Sequence, residues 1–456
     1  MIYLPLEVWM HIARHLENDN STLTNCARVC RHWQPVFEKL IYRTLKATSK
    51  GFKSLPHFQD LVLGTNQYRR SFVQHLEYTV IIPYDLPDYR TVKLDGYREQ
   101  NPVRKANDLA FWAGMKSLFE FLSSWEKDCK FMLTVTAQGR DEALEPETEA
   151  KEDVHAWHGE LDGEFVVGPY RARFPASSVL PRTTCVDNLS FPWMYDSIWA
   201  GTAMQIAESC VALQRLFLNM QDSSRPDHIW YLRDRRQAVA SGLATLPLTL
   251  RVLELEGGVE EPWSNTLPAL DLRPVNSNID ELSSSLRLRS CNLRELNLIN
   301  ISVDMDFLYP LDTDTPILGE WLFDYELSTE DEYDFPDPAT GDEIFESSWL
   351  NGNYQIVRHV MNAEHFHRLF ISLGYAARRM PRLKTISFDF GDVPVTKFTF
   401  DNSSGRPSLE IQSESGYRPD QRVADVWGFS IQQLVVEKHG WMRFPDSLSC
   451  SVILDR

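Results

Sequence analysis

A chain of 456 residues that is 43% hydrophobic and 12% aromatic can bury one large core or two smaller ones. Its formal net charge of −18 disfavours nucleic acid and anionic membrane as main partners, because phosphate would be repelled. The charge is uneven: residues 1–50 hold seven Lys/Arg against four Asp/Glu, a net of +3, which leaves −21 for the remainder. In chain order, Leu4 to Tyr42 comes first. Apolar residues fall at Val8, Ile12 and Leu16, then at Leu23, Cys26, Val29, Cys30 and Trp33, intervals of three and four that mark a helix face. Pro5 suits the first turn of a helix, and the polar run Glu17 to Thr22 reads as a loop with a cap for the next helix. Three short helices bury too little surface to be stable alone, so the unit needs a partner.

Leu4, Pro5, Glu7, Val8, Ile12, Leu16, Leu23, Cys26, Val29, Cys30, Trp33 and Tyr42 follow, in order, the pattern of an F-box, and the stretch resembles that family. The resemblance implies docking on a Skp1-type adaptor, and through it on the cullin of a ubiquitin ligase. Leu4, Pro5, Ile12, Leu16, Val29 and Trp33 would carry that contact, and the remaining chain would hold an unknown protein substrate.

From residue 46 the character changes. Lys46 to Lys53 reads as a short basic bridge, Leu55 to Tyr68 as helical, and Phe72 to Val80 as a strand. Pro83, Pro87 and Pro102 predict irregular chain, after which Asn107 caps a helix from Asp108 to about Trp125. Phe131 to Val135 reads as a second strand. Leu76 to Pro83 and Leu118 to Trp125 resemble filamentous-fungal F-box proteins. Asp141 to Asp153, with seven acids and one lysine, reads as a solvated loop. A second acidic block, Glu330 to Glu346, has eight acids, no Lys or Arg, and aromatics around it. A surface insertion is favoured there over a recognition loop for a basic substrate.

One phrase recurs in the middle of the chain: Val186 to Phe191, Leu213 to Leu218, Leu250 to Leu255, Leu293 to Leu298 and Leu383 to Phe388. Its form, L-x-x-L-x-L, resembles a leucine-rich repeat. Because strand side chains alternate, the fourth and sixth positions point inward and the third, fifth and seventh outward. Helical patterns lie between copies, at 197–210, 229–245, 279–289 and 354–380. The spacings of 27, 37, 43 and 90 residues exceed a regular repeat, so the expected object is a degenerate solenoid with long insertions. The alternative is an ordinary α/β domain with a recurring strand pattern. The outward strip would be Asn188, Ser190, Arg215, Phe217, Asn219, Val252, Glu254, Glu256, Glu295, Asn297, Thr385, Ser387 and Asp389. Arg215 and Phe217 are the expected substrate anchors, with Asn219 and Asn297 beside them and Glu254, Glu256 and Glu295 reading basic groups. Past Phe388, Val395 to Phe400 and Ser408 to Ser413 flank a hairpin signal, Asp420 to Val426 reads as a short helix, and Leu434 to Val436 as a last strand.

Enzyme chemistry finds little support. There is no Gly-rich phosphate loop, no G-x-S-x-G and no H-E-x-x-H. Cys26 and Cys30 share a helical face with Val29 and Trp33, which reads as packing and not as a metal pair. His155-x-x-His158-x-Glu160 and His365-x-His367 lack a preformed geometry. No cofactor and no metal are expected. Seven dispersed cysteines and the absence of a secretory pattern in residues 1–25 point to a reducing cytoplasmic and/or nuclear setting. No run of about 18 apolar residues exists to cross a bilayer.

The expected fold class is α/β. A three-helix F-box (1–46) leads to a linker and the first strand and helix units (47–140), then an acidic loop (141–160). An irregular leucine-rich-repeat-like solenoid (161–392) follows, with an acidic insertion (312–349), and a β-rich C-terminal cap (393–456) ends the chain. The expected function is a non-catalytic substrate receptor of an SCF-type (Skp1-cullin-F-box) ligase, or alternatively an adaptor-bound scaffold acting without cullin.

Overall fold

Seven leucines in one register organise the first sheet. The computed structural model describes residues 8, 11, 15–16, 20–51, 53–84, 102–141, 171–192, 198–220, 229–257, 280–299, 301, 303, 307, 309, 323–324, 360–361, 363–380, 383–389, 396–403, 406–413, 416–438 and 448–454. The chain divides into two compact units, one of residues 1–259 with 289–301, the other of 260–288 with 302–456. The first unit opens with helices α1 (Asn20–Ala27) and α2 (Gln34–Ile41). Its strands are β1 (Thr44–Thr48), β2 (His75–Tyr84), β3 (Phe131–Asp141), β4 (Val186–Phe191), β5 (Arg215–Asn219), β6 (Val252–Glu256) and β7 (Glu295–Ile299). They pair in chain order, and every pair is parallel.

That register aligns Leu45, Leu76, Leu133, Leu189, Leu216, Leu253 and Leu296 across all seven strands. The five on inner strands are at most 1% exposed, whereas Leu45 and Leu296, on the edge strands, are half-buried. Two residues further along, Phe191, Leu218, Leu255 and Leu298 form a second inward row. A side-chain period of two produces both rows, and each fully buried leucine contributes roughly 2 kcal/mol. Helices follow the strands: α3 (Leu55–Val62), α4 (Pro102–Leu122), α5 (Ala200–Ser209), α6 (Ile229–Thr245) and α7 (Glu281–Ser290), the last straddling the division between units. α4 lies close on β2. A Cβ on Gly114 would come within 2.9 Å of Val80 Cγ1, and the buried Tyr78 hydroxyl donates to the Gly114 carbonyl at 3.0 Å.

The second unit holds the antiparallel pair β8 (Phe323–Asp324) and β9 (Val360–Met361), helix α8 (Ala363–Arg379), and strands β10 (Thr385–Asp389), β11 (Thr396–Asp401) and β12 (Ser408–Ser413). Helix α9 (Gln421–Trp427), β13 (Val435–Lys438) and β14 (Leu448–Ile453) complete it. The five-stranded sheet runs β10-β11-β12-β14-β13, all antiparallel. Its core joins Phe366, Phe370 and Leu373 of α8 to Phe398, Phe400, Ile411 and Trp427. Phe370 stacks on Phe398 with ring centroids 4.5 Å apart, and Trp427 Nε1 donates to the Phe370 carbonyl at 2.9 Å. Asp420 caps α9 by accepting from the Val423 amide at 3.0 Å, and Gly428 closes it with φ 80°.

The molecule is thus mixed α/β, with one parallel sheet and a separate antiparallel one. Several expectations change. Thr44–Thr48, inside the stretch read partly as a basic bridge, is the first strand, since Leu45 and Ala47 face inward. Pro102 does not delay the helix but starts it, as proline can at a first turn. Asn107, read as a cap, is wholly buried inside α4. The fifth copy of the repeated phrase leaves the parallel series: β10 pairs antiparallel with β11. Thr385, Ser387 and Asp389 therefore belong to the second sheet. β14 went unrecognised. The acidic blocks at 142–160 and 312–349, apart from Phe323–Asp324, lie outside the described residues, as do His155, His158 and Glu160.

Candidate functional site

The N-terminal domain has a very small interior. Among the described residues, Leu23, Val36 and Phe37 form its buried apolar cluster, with Leu16, Cys26, Ala27, Trp33, Leu40 and Ile41 packed round them. The Trp33 and Phe37 ring centroids lie 5.6 Å apart. Pro35 sits in the first turn of α2, where its missing N–H costs no hydrogen bond. Among the described residues, Val29, in the turn after α1, is 62% exposed, and Val8 is 40% exposed. Of the expected adaptor contacts, Leu16 and Trp33 are half-buried in the domain's own core, Val29 is open, and Leu4, Pro5 and Ile12 lie outside the described residues.

A polar knot fastens this domain to the rest of its unit. Glu38, on α2, is 5% exposed. It accepts from Arg69 Nη2 at 2.6 Å, from the Tyr68 hydroxyl at 2.6 Å and from Gln34 Nε2 at 3.0 Å. The Arg69 guanidinium also lies over the Tyr42 ring, 4.6 Å from its centroid. Burial pushes the Glu38 carboxyl up, but donation from Arg69, Tyr68 and Gln34 outweighs it and holds the group below the usual carboxylate range. The same carboxylate raises Arg69 against its own desolvation, so both partners are ionised. After Tyr42, the C-cap of α2, β1 begins at Thr44, and the Arg43 carbonyl accepts from the Gln74 and His75 amides at 2.9 and 3.0 Å. The N-terminal domain runs into the sheet without a linker.

The outer face of the parallel sheet is built in rows. In one row Lys46, Glu77, Thr134, Ser190, Phe217, Glu254 and Asn297 are in register, and in the next His75, Met132, Asn188, Arg215, Val252 and Glu295. The β1–β3 end is internally bonded: Lys46 Nζ meets Glu77 Oε2 at 2.5 Å, and His75 Nε2 lies 2.8 Å from Thr134 Oγ1. At the β5–β7 end, Arg215, Glu295 and Asn297 are exposed, while Phe217 and Glu254 are half-buried neighbours. Among the described residues, no ion pair or hydrogen bond engages the Arg215, Glu254 or Glu295 side chains.

Two expected outward residues differ. Ser190 is only 6% exposed, and Asn219 is 8% exposed with Nδ2 donating to Glu256 Oε2 at 2.8 Å. Asn219 and Glu256 hold each other and so present less to a partner than expected. The sheet brings Arg215, Phe217, Glu254, Glu295 and Asn297 together. The Glu38–Arg69 knot escaped sequence reading, since its partners lie 31 residues apart and follow no period. Among the described residues, no group of three or more His, Cys, Asp or Glu is arranged to hold a metal ion, and no helix is long and apolar enough to cross a membrane.

No curated protein matches the chain. The F-box-like family model matches residues 1–47, a range that ends inside β1 and takes in α1, α2, Val29 and Trp33. The chain therefore carries an F-box-like domain at residues 1–47.

Proposed function

We propose that this protein is the substrate-recognition subunit of an SCF-type E3 ubiquitin ligase, recruiting a target protein through its parallel sheet. F-box domains typically bind Skp1-type adaptors, and the observation that carries the reading is the join between such a domain and the sheet. A small helical core with uncovered Val8 and Val29 is clamped through Glu38 and Arg69 to the start of a broad polar surface. Such a part can hold a target at a set distance from an adaptor. The chain itself is non-catalytic in this reading, and transfer chemistry belongs to other subunits. Its setting is cytoplasmic and/or nuclear. The sequential parallel order of β1 to β7 supports a leucine-rich-repeat-like solenoid with insertions.

On the sheet, the proposed target contacts are Arg215, Phe217, Glu254, Glu295 and Asn297, with Glu256 and Asn219 at the margin. Aromatic and arginine side chains dominate the energetics of many interfaces. The double variant Arg215→Ala, Phe217→Ala is expected to keep the adaptor and lose the target, because both side chains lie outside the leucine rows. Affinity purification with the proteasome blocked tests both halves. The proposal expects adaptor and cullin with either form, and targets with the wild type alone. An unchanged set of co-purifying targets removes the sheet as the reading surface. Adaptor without cullin favours a scaffold acting outside the ligase.

A further inference from the structure

We propose that His11 and His15 form an open, two-imidazole site for a divalent transition ion, best matched by Zn2+. Both residues are helical and exposed, and a separation of four places them on one helical face. Their Nε2 atoms lie 3.3 Å apart, and the rings stand perpendicular with centroids 4.8 Å apart. A tetrahedral ion bonded at about 2.0–2.1 Å to two nitrogens holds them about 3.3–3.4 Å apart. A square-planar ion at similar bond lengths needs about 2.8–3.0 Å. The observed separation fits the tetrahedral case, and perpendicular rings can each direct an in-plane lone pair at one point.

Without an ion the pair shares one hydrogen bond, Nε2–H of one ring donating to Nε2 of the other. Coordination needs both Nε2 lone pairs. The donor ring therefore moves its proton to Nδ1 through water, the ion takes the place of the shared proton, and no net proton is released. Among the described residues no third His, Cys, Asp or Glu joins the pair. Val8 lies three positions before His11 on the same face. An occupied site therefore sets a dication beside an uncovered apolar residue of the F-box-like domain.

The test counts Zn2+ bound by the full chain against a competing indicator, in the wild type and in the variant His11→Gln, His15→Gln. Exposed thiols such as Cys30 and Cys291 also take up Zn2+, so the difference between the two proteins is the readout. The wild type is expected to bind one ion more than the variant, and each single substitution to lose that ion as well. Both side chains are exposed, so the two proteins are expected to melt alike without metal, which confirms that the variant is folded. Equal Zn2+ uptake by wild type and folded double variant overturns the site.

Discussion

Phe37→Ala is expected to unfold the F-box-like domain while leaving the parallel sheet intact. Phe37 is fully buried, and among the described residues Leu23 and Val36 share its buried apolar cluster. Truncating a buried phenylalanine costs about 3–5 kcal/mol. In a large core that loss is spread over many contacts. Here it removes the centre of the small cluster formed with Leu23 and Val36 and the ring beside which Trp33 packs. Leucines of the sheet lie in separate rows, so their contacts are untouched. Hydrogen exchange on the full chain reads the difference: residues 20–41 are expected to lose protection, and residues 252–256 to keep it. Retained protection across 20–41 would show that these helices are held by something other than their own core. Uniform loss across both segments would show one cooperative unit.

Arg69→Ala is expected to cost about 3–5 kcal/mol, because it leaves the Glu38 carboxylate buried without its cation. The side chains of the pair are 7% and 13% exposed, so solvent screens them little. The pair also sets a pH dependence. Glu38 is held below the usual carboxylate range in the folded chain. Its contribution is therefore fully present above that range, and is lost as pH falls through it towards the lowered folded value. Melting temperature of the wild type is expected to fall steeply over that acid window. Arg69→Ala should start lower at neutral pH and fall less, since the lowering that Arg69 causes is gone. A variant with the same neutral stability and the same acid slope would mean that the knot does not hold α2 in place. Replacing both partners with well-packed apolar residues is expected to recover much of the loss, as removing an isolated buried charge does.

The parallel sheet was largely legible because its signal is local. L-x-x-L-x-L places leucines on one side of a strand whatever the rest of the chain does, and four of its five copies fall into one register. The fifth, around Ile386, has the same alternation but pairs antiparallel with Thr396–Asp401. Alternation fixes which side a residue faces, not which strand lies beside it. β1 was hidden for the opposite reason: only Leu45 and Ala47 of its five residues face inward, among polar neighbours. In the F-box-like domain, apolar spacing found the helices but could not separate residues facing the domain's own core from those facing outward. Trp33 and Leu16 pack inward against Phe37 and its neighbours, while Val29 points into solvent. Asn219 shows the same limit on the sheet, where the outward side of a strand is not automatically exposed. Glu38–Arg69 and His11–His15 depend on distances between side chains, which no hydrophobic period reports.

The central claim is that the amino-terminal domain is a docking part whose open apolar residues await a Skp1-type adaptor. Val29→Glu tests it most directly, since Val29 lies outside the domain's buried cluster and is 62% exposed. Adaptor capture by the full chain is measured for wild type and variant at matched concentration, alongside the melting temperature of each. The account predicts an unchanged melt and at least a tenfold loss of capture, corresponding to about 1.4 kcal/mol or more at the contact. Full adaptor capture by the folded Val29→Glu protein would contradict it.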